Sequence, residues 1–425
     1  MDKGKTSKDK LHHKDGKKIS RRAMLTGMAG AAGTILVQTA AGQVNQTNPT
    51  QAAQEVPDDP TKVQGLWPSE RGTRSPFEQP NRQVRNLTSS RTPHQDLFGT
   101  ITPSDLHYER HHAGVPSINP ERYELLIHGM VERPMTFSLA DLKRFPAVSR
   151  ICFLECSGSQ QPSSGEHSTP QDIAGLMSQS EWTGVKLSTL FREVGVKPEA
   201  TWFLAEGSDA AMLSRSIPVR KAWGDAMIAY AQNGEAVRPE NGYPARLLLP
   251  GWEGNASVKW LRRIELSDRP FMTREETSKY SEPLKDGTIR QFSFVMDASS
   301  LITYPAYPVT LEKGWVEIRG LAWSGRGVIS RVEVSTDGGQ TWGTAELQAP
   351  ILPKAHTRFR YLWPWDGNKT EIMSRSFDET GYRQPTATEL IESRGTAATP
   401  YHLNAITAWK IDQSGQVTYR SEQWE

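Results

Sequence analysis

Cys152 and Cys156, the two cysteines of the chain, are separated by three residues. Cys156 comes just after the apolar run 151–154 and is followed by the small residues Ser157 and Gly158. A thiolate at the end of a buried strand can bind a soft metal, and small neighbours leave room for a bulky ligand. The alternative is that Cys156 is an ordinary small hydrophobe, which is the usual role of a lone cysteine and the one we predict for Cys152.

The cysteine count also restricts other chemistry. Two cysteines this close together do not make a disulfide framework, and no second pair completes a zinc site. The sequence has no C-x-x-C-H motif, so we expect no haem attached to this chain.

The surrounding sequence predicts a mixture of helices and strands. The segment 123–129 reads as a strand, 246–250 as a short buried strand and 258–264 as another. Apolar residues recur at helical spacing between 186 and 194, which predicts a helix with one buried face. The elements show no strict β-α repeat, so an α+β fold is favoured over a doubly wound sheet.

Beyond about residue 292 the sequence is typical of strands and turns. The segment 331–335 alternates, 336–340 supplies turn residues with Gly338 and Gly339, and 341–342 begins a return strand. Aromatic residues occupy every second position between Phe359 and Trp365. We therefore predict a β-sandwich of about 130 residues and a domain boundary near 285–295.

Composition and charge are those of a folded protein of more than one domain. Of 425 residues, 36% are hydrophobic and 23% charged, and 13 are Trp. The net charge is +2, but residues 1–41 carry +6, which leaves −4 for residues 42–425. A mildly acidic body gives no electrostatic footprint for nucleic acid.

The first 41 residues read as an export signal. A Lys-rich start leads to Arg21 and Arg22, then to a short apolar run from Met24 to Val37 and small residues at 40–41. Paired arginines mark the twin-arginine route, which predicts a periplasmic protein. The run is too short for a membrane span. The alternative is an uncleaved basic tail or a single amphiphilic anchor. Residues 42–97 read as an extended arm or linker.

Six stretches in order resemble the sulfite-oxidase family of molybdenum-cofactor proteins. They are 102–112, 155–158, 182–184, 242–251, 257–264 and 332–342. Four more, 232–243, 250–255, 320–327 and 352–359, resemble the sulfane dehydrogenase branch of that family. The resemblance implies an α+β molybdopterin-binding catalytic domain over 98–288. An immunoglobulin-like β-sandwich dimerisation domain over 289–425 would follow it.

The resemblance also assigns roles to individual residues. Cys156 matches the thiolate that binds molybdenum, Arg110 an arginine near the metal, and Tyr280 a tyrosine beside the metal's reactive ligand. These three are the predicted catalytic residues. The predicted contacts to the molybdopterin cofactor are Arg110, His111, His112, Cys156, Asp209, Ser216, Asn241, Arg246, Ser257 and Lys259.

Some of these assignments have plain alternatives. Arg246 and Lys259 suit a buried anionic phosphate, but side chains of this kind can also cap a sheet edge with their charges in solvent. Tyr280 lies among polar residues and could be a surface tyrosine. Asn241 stands where the family usually has histidine, and His111 where asparagine is common.

The sequence differs from sulfite oxidases at two sites where those enzymes have arginines. Gln160 and Gln161 follow the cysteine, and Leu403 replaces an arginine near the C-terminus. Sulfite is a small dianion that needs charge-assisted hydrogen bonds. A pocket with fewer cations should bind sulfite poorly and better admit a sulfur chain carried on a protein arm.

We therefore expect oxidation of carrier-bound sulfane sulfur by oxygen-atom transfer. The expected partners are a c-type cytochrome acceptor, a sulfur-carrier protein as substrate and a second copy of the chain in a homodimer. The alternatives are a dehydrogenase of free sulfite, a sulfoxide reductase of the same fold, and a non-catalytic β-sandwich scaffold.

Overall fold

A computed structural model of the protein describes residues 67–160, 165–395 and 401–421. Residues 67–77 belong to an N-terminal unit and form no helix or strand. The second unit starts at Glu78. The predicted export signal and the arm up to residue 66 lie outside the described residues. No helix in the described part is long and apolar enough to cross a membrane.

The N-terminal part of the second unit contains fifteen strands and four α-helices among the described residues. The strands are β1 (Gln83–Asn86), β2 (Ser89–Arg91), β3 (Glu109–Arg110), β4 (Glu124–Gly129), β5 (Met135–Ser138), β6 (Ala147–Glu155), β7 (Met177–Lys186), β8 (Trp202–Gly207), β9 (Ser214–Pro218), β10 (Met227–Gln232), β11 (Glu235–Ala236), β12 (Arg246–Leu248), β13 (Leu261–Ser267), β14 (Glu282–Pro283) and β15 (Ile289–Arg290). The helices are α1 (Leu139–Arg144), α2 (Pro170–Ala174), α3 (Leu187–Val194) and α4 (Val219–Gly224).

The regular elements of the C-terminal part are strands, apart from one α-helix among the described residues. They are β16 (Ser299–Tyr304), β17 (Gly314–Trp323), β18 (Ile329–Ser335), β19 (Gly343–Thr344), β20 (Glu346–Gln348), β21 (Thr357–Trp365), β22 (Thr370–Asp378), β23 (Ala408–Ile411) and β24 (Val417–Tyr419), with one helix, α5 (Ala387–Arg394).

Two five-stranded sheets form the frame of the N-terminal part. One has β11, β10, β7 and β6 side by side, with β12 also paired to β10. The other has the order β5-β4-β13-β8-β9, in which β13 runs parallel to β4 and antiparallel to β8. The two sheets meet where the Leu247 amide donates to the Val258 carbonyl oxygen at 2.8 Å. This junction brings the ends of strands from both sheets together.

The C-terminal part is a sandwich of two antiparallel sheets. Their orders are β16-β17-β21-β20 and β19-β18-β22-β23-β24. Between them lies a core that includes Phe359, Trp363 and Trp365, as the alternation along β21 predicts. The predicted hairpin is formed by β18 and β19, and Gly338 and Gly339 in its turn have φ of 73° and 93°. The α+β fold followed by a β-sandwich is thus confirmed.

Two strand predictions need correction at their boundaries. The strand expected over 258–264 begins only at Leu261, because Trp260 has a left-handed φ of 51° that breaks the extended chain. The strand expected over 246–250 ends at Leu248. The predicted helix at 186–194 is α3, which begins at Leu187 and ends at Val194, where the left-handed φ of 67° at the next residue, Gly195, terminates it.

Candidate active site

A cavity of about 320 Å³ lies at the junction of the two five-stranded sheets. Strand ends position its walls. Cys156 directly follows β6, Arg246 begins β12, and Lys259 lies just before β13. Ten of the predicted site residues line this cavity: Arg110, His111, His112, Cys156, Asp209, Asn241, Arg246, Ser257, Lys259 and Tyr280.

Ser216 is the predicted site residue that does not line the cavity. It is fully buried in β9, where its hydroxyl accepts a hydrogen bond from the Phe271 amide at 3.0 Å and its own amide donates to Glu276. The Ser216 side chain thus binds a neighbouring amide, and its contact with the cofactor stays a prediction.

Cys156 is positioned by a strand that is paired along its whole length. All nine residues of β6 pair with β7, and the Cys156 amide then donates to the Leu176 carbonyl oxygen at 2.9 Å. Burial raises the pKa of the Cys156 thiol, whereas the Gly158 amide and the positive charge of Arg110 act in the opposite direction. A cationic metal bound at the sulfur would favour the thiolate.

Gly254 allows the opposite wall to approach this strand end. A Cβ atom at Gly254 would lie 2.6 Å from the Tyr108 hydroxyl and 2.9 Å from the Glu155 carbonyl oxygen. Both distances are shorter than side-chain carbon atoms tolerate. A residue without a side chain is therefore required next to the end of β6, where Cys156 follows.

Within the described residues, the hydrogen-bond partners of Arg246 and Lys259 are carbonyl oxygens, and each cation also lies over a tryptophan ring. The Arg246 guanidinium donates to the carbonyl oxygens of Asn241 and Ser257, both at 2.8 Å. Burial lowers the pKa of Arg246 to about 10, and burial together with Arg246 lowers that of Lys259 to about 7. Neutral carbonyls do not balance these charges, so this end of the cavity favours an anionic ligand.

Further polar groups lie beside these cations. The side-chain nitrogen of Asn241 is buried and has no hydrogen-bond partner within the described residues. Asp209 is buried and accepts from the Leu213 amide at 3.1 Å. His111 is buried beside Glu109, whereas His112 is exposed. One part of the cavity wall therefore offers buried cations and an unpaired donor, which suit a phosphate group. The thiol of Cys156 also lines the cavity, so a phosphate-bearing cofactor bound there could carry a metal to it.

Residues that were not among the predicted site residues also line the cavity, and they include Tyr108, Asn255 and Tyr401. The rings of Tyr280 and Tyr401 are 5.4 Å apart, centre to centre. Tyr108 and Asn255 lie within stretches that carried the family resemblance, but nothing in their residue types indicated a role. Among the described residues, no group of three or more His, Cys, Asp or Glu side chains is placed to hold a metal ion.

Two family models match the chain. An oxidoreductase molybdopterin-binding domain matches residues 112–275, and a Mo-co oxidoreductase dimerisation domain matches residues 290–409. Sulfite oxidase of Gallus gallus is 30% identical in an alignment of 331 positions, which covers 71% of this chain and 72% of that protein. The chain belongs to the sulfite-oxidase family of molybdopterin oxidoreductases.

Other members of the family are similar over different shares of their length. Mitochondrial sulfite oxidase of Drosophila melanogaster is 31% identical over 71% of this chain and 58% of that protein. The NADH nitrate reductase of Ulva prolifera is 30% identical over 70% of this chain. The chain spans only 39% of that nitrate reductase.

A solved structure covers more of the molecule. The crystal structure of the sulfane dehydrogenase SoxCD from Paracoccus pantotrophus matches with a TM-score of 0.80 and 42% sequence identity. The match covers 85% of this chain and 98% of that one. Family membership makes this protein a molybdenum-cofactor enzyme.

Proposed function

We propose that this enzyme oxidises sulfane sulfur carried on a protein, and that it passes the electrons to a c-type cytochrome. One observation carries the choice of substrate: Gln160 and Leu403, which stand where the resemblance places oxyanion-binding arginines, are held outside the cavity, while Gln161 lies outside the described residues. The Gln160 amide donates to the Ser299 hydroxyl at 2.9 Å, and Leu403 packs in a separate apolar cluster with Leu390. Neither side chain lines the cavity.

The cavity wall near Cys156 suits a sulfur chain better than a free dianion. Beside the two cations assigned to the cofactor, Arg110 and Lys279 supply positive charge, while Leu176, Tyr280 and Tyr401 supply apolar surface. A small dianion loses much of its hydration in such a site and gains few charge-assisted bonds in return. A neutral or singly charged sulfur chain loses less. The similarity to a sulfane dehydrogenase over 98% of its chain supports the same choice.

Some residues of this chain would bind the cofactor, and others would act on the substrate. Bound molybdopterin would supply two-electron oxygen-atom transfer to sulfur at the metal. Arg246, Lys259 and Asn241 would bind the anionic end of the cofactor, and Cys156 would hold the metal. Arg110 would attract and orient the substrate's negative charge, and the Tyr280 hydroxyl would donate a hydrogen bond at the reacting atoms.

The cellular setting is part of the proposal. The paired arginines of residues 21–22 support export by the twin-arginine route to the periplasm, where c-type cytochromes can accept the electrons. The match to a dimerisation domain over 290–409 supports a homodimer formed through the C-terminal part.

A second candidate is a dehydrogenase of free sulfite, which the similarity to sulfite oxidases and the presence of Arg110 favour. Steady-state reduction of a c-type cytochrome distinguishes the two. We expect kcat/KM for a persulfide-bearing carrier protein to exceed that for sulfite by at least about 100-fold, or roughly 2.7 kcal/mol of transition-state binding. Equal values for the two donors would favour the sulfite dehydrogenase.

A further inference from the structure

Three charged side chains meet behind the cavity wall with almost no contact with solvent. The Arg215 guanidinium donates to Glu276 Oε1 at 2.7 Å and to Glu253 Oε1 at 2.8 Å. None of the three is more than 1% exposed. Burying charges is so costly that well-packed apolar residues would give comparable or greater stability. The network therefore needs an explanation other than stability.

Glu253 connects this network to the loop that carries Cys156. Its second oxygen accepts hydrogen bonds from the Asn255 amide group at 3.0 Å and from His402 Nε2 at 3.1 Å. The Asn255 side chain also donates to the Ser157 hydroxyl at 3.0 Å, and the His402 backbone amide donates to the Ser157 carbonyl oxygen at 2.8 Å. Ser157 directly follows Cys156, so two groups anchored on Glu253 hold the residue beside the thiol.

Arg215 connects the same network to Tyr280. Its guanidinium carbon lies 4.8 Å from the centre of the Tyr280 ring, which is a cation–π distance. The third guanidinium nitrogen, Nη1, is buried and has no hydrogen-bond partner among the described residues. Arg215 is thus held by two carboxylates on one side and supports an aromatic ring on the other.

The charge of Glu253 is maintained by these contacts. Burial by itself would raise the pKa of Glu253, but Arg215, His402 and Asn255 outweigh burial and lower the pKa to about 2. The carboxylate accepts hydrogen bonds from three different side chains, which no neutral side chain of the same size can do.

We propose that Glu253 is a positioning residue that holds the Cys156 thiol and the Tyr280 ring at a fixed separation across the reaction site. It acts on the cysteine loop through Asn255 and His402, and on the tyrosine through Arg215. The proposal depends on the proposed function in one respect, namely that Cys156 is the metal ligand. It is independent of which sulfur compound is the substrate.

The test is the isosteric substitution Glu253→Gln in the molybdenum-loaded protein. An amide has a single acceptor oxygen and presents an NH₂ group to neighbours that are themselves donors. The matched control is Glu276→Gln, which is equally buried and binds the same Arg215 but makes its other side-chain bond to the Ser216 amide. Dithionite is used as the reductant, so the readout does not require a sulfur substrate.

The primary readout is the electron paramagnetic resonance spectrum of the half-reduced metal, which responds to the geometry of its sulfur ligand. We expect a shifted spectrum in Glu253→Gln with its molybdenum retained, and a wild-type spectrum in Glu276→Gln. We also expect cytochrome reduction by Glu253→Gln to be on the order of 10–100-fold slower, as for other small displacements of reacting groups. Should Glu253→Gln fail to fold, Glu253→Asp keeps the charge but is too short to reach all three partners, and the same shift is expected.

Two results would overturn the positioning role. One is a wild-type spectrum in the Glu253 variants, and the other is an equal shift in the Glu253 and Glu276 variants, which would indicate general loosening of the Arg215 network. A wild-type protein that contains no molybdenum would instead refute the proposed function itself, so the two failures are distinguishable.

Discussion

The ammonium group of Lys259 donates a hydrogen bond to the carbonyl oxygen of Arg110 at 2.9 Å, although the two residues are 149 positions apart in the chain. A second bond runs to the Glu240 carbonyl oxygen at 2.7 Å. This contact joins the end of β3 to the segment before β13, and both residues line the cavity. It also leaves a positive charge with neutral partners, so an anion bound beside Lys259 gains electrostatic free energy.

The lowered pKa of Lys259 makes binding of the cofactor depend on pH. An anion stabilises the charged form and raises the pKa above about 7, so binding takes up a proton between pH 7 and the raised pKa. The affinity of the molybdenum-free protein for the cofactor should therefore fall as the pH rises from 6 to 9, by up to about tenfold per pH unit.

Equilibrium binding measured across this pH range tests this prediction. The matched variant is Lys259→Gln, which should bind on the order of 10–100-fold more weakly at pH 6, because a bond to a charged group is lost. Its affinity should vary much less between pH 6 and 9. A wild-type affinity that stays flat over this range would contradict the proposed contact.

The same substitution at the two cysteines should have opposite consequences. Cys156→Ala removes the proposed metal ligand, so we expect at least a tenfold loss of molybdenum per chain and a melting temperature close to that of the molybdenum-free wild type. Cys152→Ala leaves a small void in a buried strand and should cost about 1 kcal/mol of stability while molybdenum is retained. Metal analysis and thermal unfolding of both variants check this. Equal molybdenum contents in the two variants would exclude Cys156 as the ligand.

Tyr280→Phe should lower the rate of the chemical step without affecting cofactor binding. The substitution removes the hydroxyl but keeps the ring that lies on Arg215, so molybdenum content and stability should remain close to those of the wild type. If the hydroxyl donates to the reacting atoms, kcat should fall on the order of 100-fold with a smaller change in KM. Unchanged kcat with a raised KM would show that Tyr280 only helps to bind the substrate.

Ser216 and Asp209 provide a direct comparison between family resemblance and geometry. Ser216→Ala removes a buried hydrogen bond to the Phe271 amide and should cost about 1 kcal/mol in the free energy of unfolding without loss of molybdenum. Asp209→Asn changes a residue that lines the cavity and should reduce cofactor retention. Loss of molybdenum in the Ser216 variant would mean that the resemblance was the better guide at this position.

Local patterns predicted the elements that position the site. The apolar run that becomes β6 and the helical spacing of α3 depend on which side chains are buried, and this shows in a short window of sequence. The aromatic alternation along β21 likewise predicted one face of the sandwich. Cys156 could be placed at a strand end for the same reason.

Contacts between residues that are far apart in the chain could not be predicted from such short patterns. Arg215 and Glu253 are 38 positions apart, and charged residues are rarely buried, so nothing local indicated that they would pair inside the molecule. The left-handed backbone at Trp260 interrupts the extended chain without a glycine, so the sequence did not indicate it. Lys259, the residue before it, lines the cavity. Tyr401 comes to the site from the C-terminal part of the chain, and its position depends on tertiary packing.

The most direct test of the account is anaerobic reduction of the molybdenum centre itself, without a cytochrome, followed by the absorbance of the metal site after rapid mixing. A persulfide-bearing carrier protein and free sulfite are compared at equal concentration, with Cys156→Ala as the blank. We predict fast reduction by the carrier, little by sulfite and none in the variant. Reduction by sulfite as fast as by the carrier, or no reduction by the carrier, would contradict the account.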